Sequence, residues 1–220
     1  MATKRTISES NAMEMYRVAL HNVRTQPHIA SNMAGYGYGP AKIDEGNDLW
    51  TRTQETIDAR QRLKSVARSA YSHLVALQKE LTAKYTLHRM KARIVFEYSP
   101  PLMNHLLLNR PLTGSFVPWL QIVSKFYSLA LSRTELQDQL GRMLVTREEL
   151  LAAKMDIVAI ENARAAYVLA KGEAQNATQV KNAAFKKLDA WMREFYAVAK
   201  VALYDTPQLM EALGKKVKSK

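Results

Sequence analysis

The chain has 220 residues, 47% of them hydrophobic, and carries 32 Lys and Arg against 20 Asp and Glu, a net charge of +12. It is apolar enough to exclude wholesale disorder and long enough for one good core or two small ones. The absence of Cys excludes a disulfide framework, a thiolate metal site and a cysteine nucleophile, and 8 Gly with 7 Pro are too few turn residues for an all-β protein.

Residues 1–8 contain no apolar run after Lys4-Arg5, so no signal peptide is expected there. The most apolar stretch, Phe116 to Leu131, is interrupted by Pro118, Gln121 and Lys125 and is too short to span a bilayer. A cytoplasmic protein without membrane contact is the expectation.

The first helix is expected from Ser8 to Val23, where Met13, Tyr16, Ala19, Leu20 and Val23 share one face. Pro27 ends it or starts a short second piece, and Met33 to Pro40, with three glycines, reads as an irregular loop. From Ala41 to Tyr98 the positions Leu63, Val66, Ala70, Leu74, Leu77, Leu81, Tyr85, His88, Ala92 and Val95 follow a three-four rhythm, close to a coiled-coil seam. Ser99-Pro100-Pro101 stops it. Leu102 to Leu108 reads as two helical turns, Arg110 to Gly114 as a loop, and Ser115 as the cap of a helix to Ser128–Ser132. Gly141 closes a further short helix. Thr146-Arg147-Glu148-Glu149 is a capping-box pattern. It opens a second long helix to about Tyr204, with Ala177, Val180, Ala184, Leu188, Trp191, Phe195, Val198 and Ala202 in the same rhythm. Thr206-Pro207 starts a short helix through Leu213, Gly214 ends it, and Lys215 to Lys220 form a basic tail.

Sliding the chain by 107 residues aligns Ala59 with Ala166, Lys64 with Lys171, Ala70 with Ala177, Leu81 with Leu188 and Ala92 with Ala199. The register ends on Ser99-Pro100-Pro101-Leu102-Met103 against Thr206-Pro207-Gln208-Leu209-Met210. This predicts an all-α, elongated antiparallel helical bundle whose two long helices are related by an internal pseudo-two-fold repeat. The organisation is 1–35 as an N-terminal helical segment, 36–108 as the first repeat, 109–145 as connecting helices, 146–214 as the second repeat and 215–220 as the tail. A helix of more than 50 residues would extend about 80 Å; breaks near Ser65 and Gly172 are the alternative to elongation.

Tyr36-Gly37-Tyr38 with Ile43-x-Glu45-Gly46, the Thr146 to Leu150 start, Gly172-Glu173-Ala174-Gln175, and the ending from Leu188-Asp189-x-Trp191-Met192 to Leu213-Gly214 together resemble a family of uncharacterised bacterial all-helical proteins of this length. The resemblance covers most of the chain and is densest in its last third. It implies the helical fold and brings no activity, cofactor or catalytic residue.

No chemistry-bearing constellation stands out. The five His (His21, His28, His73, His88 and His105) lack Glu-x-x-His and His-Glu-x-x-His spacing, and His88 sits in the seam rhythm as a core imidazole. Gly35 to Gly39 alternates glycines without a preceding strand, so it reads as a hinge. Glu148-Glu149 and Asp44-Glu45 complement helix dipoles in first turns. Asp189, Glu194 and His88 form no recognisable set. No enzyme, cofactor or metal is expected.

Charge carries more content. Residues 52–98 hold ten cations against four carboxylates, and the tail adds four lysines, so these segments supply 10 of the 12 net charges. The first expectation is a non-enzymatic structural protein, scaffold- or filament-like, that forms homo-oligomers; Tyr36, Tyr38, Trp191, Phe195 and Tyr196 are the candidate self-association residues, with core packing the default for the last three. The alternative is a nonspecific nucleic-acid binder that holds phosphates with Arg60, Arg62, Arg68, Arg89, Arg93, Lys215, Lys216 and Lys218.

Overall fold

The computed structural model describes residues 7–217, and all of their regular structure is helical. α1 spans Glu9–Thr25, α2 Pro27–Gly35, α3 Pro40–Val95, α4 Pro100–His105, α5 Phe116–Ser132, α6 Thr134–Gly141, α7 Arg147–Ala202 and α8 Leu209–Ala212. They form two compact units. Unit 1 takes the chain up to Lys64 and from Glu173 onward, and unit 2 takes Ser65–Gly172. α3 and α7 contribute a part to each.

Local chemistry sets the helix ends. The Ser8 hydroxyl accepts from the Asn11 amide at 3.2 Å, capping α1. At α7 the Glu149 amide donates to the Thr146 hydroxyl and the Thr146 amide donates to the Glu149 carboxylate, both at 3.2 Å, closing the expected capping box. Gln26, before Pro27, is extended and separates α1 from α2. α2 continues through Gly35, so the expected glycine–tyrosine loop shrinks to residues 36–39. α4 begins on Pro100, two residues before the expected start, because proline suits the first helical position. Ser115 precedes α5 but makes no capping hydrogen bond.

Four segments end in a left-handed residue: Gly37, Leu107, Leu144 and Gly214, with φ of 85°, 55°, 55° and 76°. The next amide in each case reaches back five residues: Tyr38 to Met33, Leu108 to Met103, Val145 to Leu140 and Lys215 to Met210. These are Schellman closures, two of them built on leucine where glycine is the usual choice.

Both long helices are continuous over 56 residues. The alternative of breaks near Ser65 and Gly172 is not realised, since one glycine costs only about 1 kcal/mol in a helix interior. The same two positions mark the boundary between the units instead. α3 has no buried residue between Thr53 and Leu74, while α7 keeps Ala163, Ala170 and Ala177 buried at heptad spacing. Gly172 has open space where a Cβ would sit. Gly172→Ala is therefore expected to raise stability by about 1 kcal/mol in urea unfolding.

In unit 1, Ala12, Tyr16, Ala19, Leu20 and Val23 of α1 pack with Phe185, Leu188, Trp191, Met192, Phe195 and Ala199 of α7. The Trp50 indole donates to the Met13 carbonyl at 2.9 Å, the Tyr16 hydroxyl to Asp189 at 3.0 Å, and the Asn22 amide to the Ala212 carbonyl at 2.6 Å. Lys181 is buried, pairs with Glu9 and lies over the Phe185 ring. In unit 2, Leu74, Leu81, Tyr85 and Ala92 of α3 pack with Trp119, Val123, Phe126 and Tyr127 of α5 and with Leu150, Ala153 and Ile160 of α7. The Trp119 indole donates to the Thr82 hydroxyl at 3.0 Å.

The long helices pack together within each unit. Arg60 donates to Thr178 in unit 1; in unit 2, Lys84 pairs with Asp156 at 2.7 Å and the rings of Tyr71 and Tyr167 lie 5.2 Å apart. The predicted seam positions are buried or half-buried on both helices, except Val66 and Val180, which stay about half exposed.

Candidate functional site

The basic residues divide into two groups. Arg60, Arg89 and Arg93 are used inside the fold. Arg89 and Arg93 both donate to the Leu108 carbonyl, at 2.6–3.0 Å, and Arg89 also donates to the carbonyl of Arg110. They tie the segment after α4 to α3. Arg62 and Arg68 are exposed. Lys215 is half-buried, its ammonium 4.1 Å from the centre of the Tyr196 ring, and Lys216 is exposed. Lys218 lies outside the described residues.

The aromatic residues expected on a self-association surface fall largely in the unit 1 core. Trp191 and Phe195 are stacked with centroids 5.6 Å apart, and Tyr38 meets both edge-on at 5.6 and 5.8 Å. All three are buried. Burial, reinforced by Glu194 and Glu45, pushes the Tyr38 phenol up to about 12. Tyr196 is half-buried and donates to the Leu213 carbonyl at 3.1 Å; burial and the nearby Tyr16 raise its phenol as well. Only Tyr36, 57% exposed, presents its ring to solvent.

His88 is the buried imidazole of unit 2. Its Nδ1 lies 3.1 Å from the Tyr127 hydroxyl and its Nε2 3.7 Å from Glu149. Burial holds its pKa below 6.5; Lys91 and Lys84 act in the same direction and Glu149 opposes them. As pH falls below 6.5 the unfolded chain takes up a proton that the folded chain resists, so stability falls with acidification. Urea midpoints at pH 7.5 and 5.5 are expected to show this decline, and His88→Gln to flatten it. Asp189 and Glu194 belong to unit 1 and His88 to unit 2. Among the described residues no cluster of His, Asp or Glu could hold a metal ion, and no helix is long and apolar enough to cross a membrane.

The surface feature that the sequence reading missed is a second seam on α7. Leu151, Met155, Val158, Asn162, Ala165 and Leu169 follow four-three heptad spacing, all are exposed, and all belong to unit 2. Met155 is 73% and Leu169 66% exposed. The buried seam of the same helix runs through Leu150, Ala153, Ile157, Ile160 and Ala163. On α3, Ala83, Leu87, Met90 and Ile94 repeat the pattern, also exposed. The signal was present in the sequence as two apolar rhythms on one helix. Periodicity alone does not say which of two rhythms faces the core.

No protein-family model, curated protein or solved structure matches the chain.

Proposed function

We propose that the chain is a non-enzymatic structural protein that self-assembles through the exposed seams of unit 2. The observation that carries this reading is the heptad-spaced row from Leu151 to Leu169 left open to water. An apolar coiled-coil seam is stabilised by burial against a second seam, and a polar Asn within it specifies register and partner number when it meets its own counterpart. Asn162 occupies that place, so a second copy of this chain is the partner the row fits.

Self-association has a signature opposite to that of nucleic-acid binding. Copies carrying +12 each repel, so added salt strengthens their association. Salt weakens phosphate binding. The nucleic-acid reading has less support, because Arg60, Arg89 and Arg93 are spent on internal hydrogen bonds. Met155→Glu/Leu169→Glu changes only exposed positions. Size-exclusion chromatography with light scattering is expected to show at least tenfold weaker association for this variant with an unchanged helical spectrum. Association as strong as in the unmodified chain removes the reading.

The proposal includes the architecture: an antiparallel bundle of two related halves. The helix boundaries support the repeat. α3 and α7 start at 40 and 147 and end at 95 and 202, 107 residues apart at both ends. α1 and α5 keep that spacing, from 9 and 116 to 25 and 132, and so do the left-handed residues 37 with 144 and 107 with 214. On this reading the halves are 9–107 and 116–214, wider than the sequence identities suggested. Each unit then joins the N-terminal part of one half to the C-terminal part of the other. Antiparallel pairing of α3 with α7 is supported by Lys84 meeting Asp156 while Tyr71 meets Tyr167: a lower number on one helix goes with a higher one on the other.

A further inference from the structure

Unit 1 contains a cleft of about 770 Å³ between the end of α7 and the segment that follows α8. That volume is in the range of small-molecule sites. Its apolar wall is Leu203, Tyr204, Pro207, Met210 and Val217, and every charged residue that lines it is a lysine: Lys200, Lys215 and Lys216. Lys215 is placed by its contact with the Tyr196 ring, which its own hydroxyl fixes to the Leu213 carbonyl.

The matching positions of unit 2, in the register of the repeat proposed above, are arranged differently. There Arg89 and Arg93 stand for Tyr196 and Lys200, and Leu108 and Asn109 for Lys215 and Lys216. The two guanidiniums clamp the Leu108 carbonyl and draw the segment onto the long helix. Unit 1 has neither guanidinium, and its following segment carries ammonium groups beside an apolar wall. The unit 2 segment is tied shut by arginine, and its unit 1 counterpart is open and positively charged.

We propose that this cleft binds a single-chain amphiphile with an anionic head. The alkyl chain covers Tyr204, Pro207 and Met210, and the head lies among Lys200, Lys215 and Lys216. Apolar wall and lysine rim are both required: an inorganic anion lacks the chain, and a neutral alcohol lacks the charge that compensates the lysines.

Isothermal titration calorimetry on the full chain tests this with laurate, dodecyl phosphate, dodecanol and inorganic phosphate, each below its aggregation threshold. Laurate or dodecyl phosphate is expected to bind at one site per chain, and the ratio of the two affinities identifies the preferred head group. Dodecanol is expected to bind at least tenfold more weakly, and inorganic phosphate not to bind. Lys200→Glu/Lys216→Glu, at two exposed positions, should weaken the anionic ligands at least tenfold, and Met210→Trp should obstruct the chain, with urea midpoints preserved in both. Absence of binding by both anionic amphiphiles, or binding indifferent to both variants, overturns the assignment. The self-association reading is independent of the outcome, because its seams lie in unit 2.

Discussion

Gly46→Ala is expected to destabilise unit 1 by about 2–3 kcal/mol, a large effect for the addition of one methyl group. A Cβ at this position would lie 2.4–2.8 Å from three carbons of the Trp191 six-membered ring. The ring cannot easily give way. It is stacked on Phe195, meets Tyr38 at its edge, and is buried with both. Relief requires either a shift of α3 away from α7 or a less favourable tryptophan rotamer, and each loosens the cluster. Residues 46 and 191 correspond to Ala153 and Lys84 in the proposed register, so the glycine appears where the opposing side chain is an indole. Urea unfolding followed by tryptophan fluorescence measures the loss. Gly172→Ala, the same substitution at an open position, serves as the control and should change stability in the opposite direction.

Phe126→Ala is expected to cost unit 2 about 3–5 kcal/mol. Phe126 is fully buried on α5, with its ring 5.4 Å from Tyr85 and 5.1 Å from Tyr127, both in edge contacts. Removing it opens a cavity among rigid rings that do not collapse easily. It also disturbs Tyr127, whose hydroxyl meets His88. Tyr85 has a buried hydroxyl without a hydrogen-bond partner, so Tyr85→Phe, which keeps the ring, should be neutral or stabilising. A similar loss in both variants would show that the cost lies in polar contacts instead of packed volume.

The features legible in the sequence were those written in local chemistry or in strong periodicity. The Thr146–Glu149 box, the proline stops and the buried positions from Leu74 to Ala92 depend on neighbouring residues, and the chain states them directly. The match between α1 and α5 was hidden because their aligned positions share no identical residue. They share a burial pattern: Ala12, Tyr16, Ala19, Leu20 and Val23 are buried, and so are Trp119, Val123, Phe126, Tyr127 and Ala130. Where α1 offers Ala12 and Ala19, unit 1 receives Trp191 and Phe195 from α7. Where α5 supplies Trp119 and Phe126, the α3 positions matching those two aromatics are Lys84 and His88. The burial pattern is kept while the aromatic residues move from one helix to another, and residue identity does not record that exchange.

The same exchange explains the self-association residues. Trp191 and Phe195 stand both in the predicted seam rhythm and among the candidate self-association residues; the small residues of α1 leave the space that they fill, so they pack as core. The exposed seam on α7 is not legible in the sequence because Leu151 and Met155 sit beside Leu150 and Ile157, and only packing tells which row faces inward. The outcome was similar for charge. The cations of α3 are visible in the sequence, but the internal partners of Arg89 and Arg93 are carbonyl groups, which a count of carboxylates does not include.

Sedimentation equilibrium of the full chain across a micromolar dilution series, at low and at physiological salt, tests the central claim most directly. The account predicts an average mass above the 24.9 kDa of one chain that rises with concentration and rises further with salt. A single 24.9 kDa species at every concentration and both salts would contradict it.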